Sequence, residues 1–75
     1  MQKNRKLRSL IFLNFDTETD CARALGWERQ RLNKITNNQK RPTIEEVNRL
    51  SSVLNAKVET IMGFFLQEKS PFEQL

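Results

Sequence analysis

The residues with the most chemistry to offer lie close together, in "ERQRLNKITNNQKR", Glu28 to Arg41. Arg29, Arg31, Lys34, Lys40 and Arg41 are its cations, Glu28 is its one acid, and Gln30, Asn33, Asn37, Asn38 and Gln39 add amides. They make no plausible nucleophile–base set. What they mainly supply is hydrogen-bond donors, with Glu28 an acceptor and the amides both. A guanidinium can bridge guanine O6 and N7, a Gln amide can bridge adenine N6 and N7, and Lys or Asn can also meet base edges. Lys and Arg pair with phosphate as well, without reading sequence. The blander alternative is a solvated polar face whose charges merely support a helix.

Composition removes most other chemistry. The chain has no histidine and no tyrosine, so the commonest general base and a common zinc ligand are missing. Cys21 is the only cysteine; it cannot form an intramolecular disulfide, and such thiol usage suits a reducing cytoplasm. Glu45, Glu46 and Glu59 read as helix-start and surface residues, and no pair of acids suggests general acid/base work. No catalytic residue, cofactor or metal site is therefore expected. With 75 residues the chain is one domain at most. A chain of that size buries only about 60–65% of its unfolded surface, which leaves little room for a deep pocket. The basic start and the apolar run Leu10–Leu13 faintly echo a signal peptide. The run is too short and lacks a small-residue cleavage site, and nothing approaches a transmembrane length.

Charge is unevenly placed. The formal net charge is +4, but residues 1–41 carry ten Lys/Arg against four Asp/Glu, and residues 42–75 carry three against five. One basic half implies a face that meets a polyanion.

Helices must position these residues. Leu7, Leu10 and Ile11, with Phe15 beyond, have helical spacing. Thr17 followed by Asp20 is a weak capping box opening a helix over Glu18–Leu25, and Gly26 stops it. A second helix spans about Arg29–Thr36, with Asn37 or Asn38 as a left-handed terminator. Thr43 to Glu46, "TIEE", is a better capping box for a helix whose apolar face is Ile44, Val47, Leu50, Val53 and Leu54, ended by Asn55. Val58, Ile61, Met62 and Phe65 form the last apolar stripe. The expected fold is all-α, five short helices in a domain over residues 1–66, with a tail over 67–75.

The second and third helices meet the steric demands of a helix-turn-helix unit over Glu18–Asn37. Ala22 is the small residue where the helices cross, and Gly26 makes the turn. Cys21, Leu25, Trp27, Leu32 and Ile35 are the inward apolar set. "TDCARALGWERQRLNKITNNQKRPTIEEVNRLSSVLNAKVETIM" resembles the Xre-type helix-turn-helix of phage repressors and Cro proteins. The resemblance covers about residues 5–62 and is strongest over Thr17–Leu54. It implies a compact lambda-repressor-like domain that binds double-stranded DNA, often as a homodimer on a palindromic operator. It also implies a transcriptional regulator in the bacterial cytoplasm or nucleoid, with no membrane partner.

With Trp27, Leu32 and Ile35 inward, helical geometry turns Glu28, Arg29, Gln30, Asn33 and Lys34 outward as the base-reading set. Arg29, Gln30 and Lys34 match the family's principal reading positions. Phosphate contacts are expected from Thr17, Glu18, Arg31, Asn37, Asn38, Gln39, Lys40 and Arg41. The basic N-terminus (Lys3, Arg5, Lys6, Arg8) either adds to them or merely solubilises. Three departures from the family pattern stand out. Glu18 occupies a usual Gln site; a carboxylate repels phosphate but could pair with Arg29 and aim it at a base. Glu28 occupies a usual Ser/Thr N-cap site, where it caps poorly and either rejects phosphate or accepts from cytosine N4. Asn38 replaces a glycine.

Cys21 and Trp27 are expected in the core. Phe64, Phe65 and Leu66 are a surplus of large apolar residues near the end, either a dimer or partner surface or a cap folded back on Leu7 and Ile11. A competing function is therefore an antitoxin or adaptor module that grips a protein through that surface.

Overall fold

The computed structural model describes residues 3–66. They form α1 (Arg5–Asn14), α2 (Glu18–Leu25), α3 (Arg29–Thr36), α4 (Ile44–Leu54) and α5 (Val58–Gly63), with no strand among the described residues. The all-α, five-helix expectation holds. The expected tail, 67–75, lies outside the described residues.

Local chemistry sets each boundary. Asn4 caps α1, its side-chain oxygen accepting from the Leu7 N–H at 3.1 Å. Thr17 caps α2 by accepting from the Asp20 N–H at 3.0 Å. The box there is only half made, and the Asp20 Oδ1 accepts from Arg23 at 3.3 Å. Gly26 ends α2 at φ 79, the left-handed region that a side chain resists. Trp27 then donates back to the Ala22 carbonyl at 2.9 Å, which closes the turn. Of the two candidate terminators of α3, Asn38 takes the left-handed conformation, at φ 60; Asn37 stays at φ −92. The Thr43–Glu46 capping box is complete, and Asn55 ends α4 at φ 55. Asn and Gly are the residues that tolerate these dihedrals best.

The core draws on every helix: Leu7 and Ile11 from α1, Cys21, Ala22 and Leu25 from α2, Leu32 and Ile35 from α3, Val47, Leu50 and Leu54 from α4, and Ile61 from α5. Trp27, Phe64 and Phe65 pack on it while only partly buried, so both phenylalanines help to cap the core. Leu66 remains 68% exposed.

Two apolar stripes end sooner than their periodicity implies. Ile44 is 78% exposed, because α4 starts one turn short of the core, which it first reaches at Val47. Met62 is 50% exposed, and Phe65 lies in the turn after α5, since that helix stops at Gly63. Glu46 departs the other way. It is a helix-start residue as expected but not a surface one, at 4% exposure.

Candidate nucleic-acid interface

The outward side of α3 follows from its inward side. Leu32 and Ile35 are fully buried, so Arg29, Gln30, Asn33 and Lys34 fall on the exposed face of the same helix. Arg29, Gln30 and Lys34 make no side-chain hydrogen bond or ion pair with any described residue. Glu28 precedes them as the N-cap, exposed and making no capping bond of its own.

Asn33 differs from its neighbours. Its Nδ2 donates to Glu18 Oε1 at 3.3 Å and its Oδ1 accepts from Asn37 Nδ2 at 2.9 Å. Both ends of the amide are engaged within the protein, so it is less available for a base than its position implies. Glu18 also accepts from Thr36 Oγ1 at 3.3 Å and sits 3.7 Å from Arg8 Nε. The expected Glu18–Arg29 pair is therefore not formed. The first residue of α2 packs beside the C-terminal half of α3, and Arg29 lies four residues, about 6 Å, back along the axis from Asn33. Glu18 acts as a brace between α1, α2 and α3.

The expected phosphate contacts divide in the same way. Gln39 and Arg41 are exposed in the loop after α3, and Thr17 is exposed at the start of α2. Asn38 Oδ1 accepts from Asn4 Nδ2 at 3.2 Å, and Asn4 also donates its backbone N–H to the Thr36 carbonyl at 2.7 Å. These bonds seat the start of α1 beside the end of α3, and Lys3 and Arg5, on either side of Asn4, are exposed. Arg31 and Lys40 are already engaged. Arg31 Nε donates to Glu46 Oε2 at 2.9 Å and its guanidinium lies 4.6 Å from the Trp27 ring centroid. Lys40 Nζ donates to Glu46 Oε1 at 2.6 Å. Trp27, expected in the core, has one side on the core and the other under Arg31.

Glu46 is the buried neighbour of the candidate interface that the sequence reading missed. Burial alone raises a carboxyl pKa, but here the Lys40 ammonium, the Thr43 N–H and Arg31 outweigh it and hold Glu46 at about 2. The carboxylate is thus an anion at neutral pH, held against two cations. Its capping-box position announced one partner, Thr43; the cations depend on how α3 lies against α4. Asn4 was also missed, although an Asn three residues before the first core leucine is a readable N-cap signal.

Cys21 is fully buried, and burial, with the Glu18 charge adding, pushes its thiol up to about 11. It is a core residue as expected. Among the described residues, no group of three or more His, Cys, Asp or Glu side chains could hold a metal ion, and no helix is long and apolar enough to cross a membrane.

Comparison with curated proteins and with solved structures finds no match. A family model described as helix-turn-helix matches residues 17–61, which spans α2 to α5 up to Ile61 and includes the whole candidate reading face. The match covers more than half of the chain and coincides with the two helices and tight turn described above, so the protein belongs to the Xre and lambda-repressor-like helix-turn-helix family of DNA-binding regulatory domains.

Proposed function

We propose that the protein is a sequence-specific regulator of transcription of the repressor or Cro kind, of phage or prophage type, acting in the cytoplasm or nucleoid without catalysis. In this reading α3 enters the major groove, and Arg29, Gln30 and Lys34 read base edges, with Glu28 and Asn33 beside them. Thr17, Arg31, Asn37, Asn38, Gln39, Lys40 and Arg41 contact or frame the phosphates. The observation that carries it is the contrast along α3: the three reading residues have no partner among the described residues, while the side chains around them are braced. Donors left unpaired on a rigid helix suit an external ligand with matching acceptors.

A homodimer on a palindromic operator would place two copies of α3 one DNA turn apart, about 34 Å. An apolar groove of about 190 Å³, lined by Ile44, Val47, Met62, Phe65 and Leu66, supports such a pairing. The same groove supports the second reading, an antitoxin or adaptor that also grips another protein. Selection of bound sequences from a random DNA pool, together with solution mass, tests the proposal. The expected result is one palindromic consensus bound by a dimer. Recovery of no consensus sinks the sequence-specific reading, and stable mass addition from an unrelated protein supports the second.

A further inference from the structure

Glu46 has an arrangement that a cap alone does not require. Its carboxylate accepts the Thr43 N–H at 2.9 Å and Lys40 Nζ at 2.6 Å on Oε1, and Arg31 Nε at 2.9 Å on Oε2. The carboxylate is buried at 5% side-chain exposure, while Arg31 is 49% and Lys40 39% exposed. One buried anion therefore gathers two cations from different segments, α3 and the loop after it, and the trio keeps a charge of +1. Arg31 uses Nε on Glu46 and lies over Trp27, so its Nη groups, with no protein partner among the described residues, are held at a fixed edge. A guanidinium offers five donors in a rigid fork, and of the three Lys40 donors two go to Glu46 and the Arg41 carbonyl (3.4 Å), leaving one.

We propose that Glu46 is a positioning residue that assembles Arg31 and Lys40 into a single clamp for one backbone phosphate of DNA. This rests on the DNA-binding reading above. Two long side chains normally lose much rotamer freedom when they converge on a ligand. The carboxylate makes that convergence part of the folded state. It also opposes phosphate by its own charge, so the two effects of removing it have opposite signs in a salt titration.

The test measures the affinity of the full chain for a short mixed-sequence DNA duplex across a range of salt. Glu46→Gln keeps a residue accepted in a capping box but removes the anion. If Glu46 builds the clamp, the slope of log K against log salt becomes shallower by about 0.9, one phosphate contact, although the protein has gained net positive charge. A second variant, Arg31→Lys, keeps the charge and loses the fork, and it is expected to lose the same contact. A wild-type slope, or a steeper one, in either variant while circular dichroism shows it folded overturns the clamp. If the wild-type protein binds no duplex at any salt concentration, the DNA-binding reading itself falls, and the clamp with it; if it binds with no salt dependence, the clamp alone is overturned.

Discussion

The polar side chains on α3 fall into two groups, separated by whether the fold already uses their hydrogen bonds. Arg29 and Lys34 have donors to spare, so Arg29→Ala or Lys34→Ala should cost roughly 1–3 kcal/mol on the selected operator and relax the preference at one base position. Asn33 has both ends of its amide engaged by Glu18 and Asn37. Asn33→Ala should therefore lose about 1 kcal/mol of folding stability while base preference shifts little. Binding titrations against the operator and its single-base variants, beside denaturant melts, distinguish these outcomes. Glu46 gives a pH prediction. Its pKa falls from an ordinary 4.5 to about 2 on folding, so its contribution is complete above about pH 4.5 and is lost as pH drops towards 2. A shift of that size corresponds to a contribution on the order of 3 kcal/mol. The stability difference between wild type and Glu46→Gln should shrink steadily over that window in denaturant melts; a difference independent of pH would show that the charge of Glu46 does not matter.

At the scale of elements, α3 is set against α2 by one turn, and the turn depends on Gly26. At φ 79 a Cβ is strained, yet one built there would meet nothing within 4 Å. Gly26→Ala should therefore cost only the backbone penalty, about 1–2 kcal/mol, with DNA specificity retained by the folded fraction. A much larger loss in thermal denaturation would mean that packing, not backbone conformation, keeps the glycine. The other end of the turn is weaker. Glu28 makes no capping hydrogen bond, so α3 starts on the helix dipole and on the burial of Leu32 and Ile35. The braces from Glu18 and Glu46 offset that weak start, because each ties α3 to a neighbouring helix by charge and hydrogen bonds together.

Over the whole molecule, the exposed polar face of α3 and the apolar groove are both surfaces left unfilled by the fold. Ile44 at 78%, Leu66 at 68% and Met62 at 50% exposure put large apolar area in water on one side. A side chain this exposed contributes little to the monomer, so Ile44→Asp should change folding stability by no more than about 0.5 kcal/mol. The same change in a self-complementary interface brings two buried carboxylates together, which should dissociate a homodimer and weaken operator binding. Sedimentation or light scattering on the variant checks this. An unchanged dimer mass would move the interface away from the groove.

Much of this protein was settled by local chemistry that the sequence displays directly. The turn at Gly26, the caps at Thr17 and Thr43, the end of α4 at Asn55 and the buried sets of α2 and α3 depend on residues a few positions apart, so their spacing carries the information; that an Asn would end α3 was legible too, but not that it would be Asn38 rather than Asn37. That is also why the outward direction of Arg29, Gln30 and Lys34 could be read without coordinates. Glu18 and Glu46 could not be placed that way. Glu18 lies 15 residues from Asn33, and Glu46 lies 15 from Arg31, so their partners are chosen only when helices pack. The exposure of Ile44 and Met62 has the same origin: periodicity gives the face of a helix, but only packing gives the length over which that face meets the core. Sequence alone thus determined which side of α3 looks out. Tertiary structure decided which of its polar groups are left with donors to give, because a hydrogen-bonding group is free or engaged according to what the fold brings beside it.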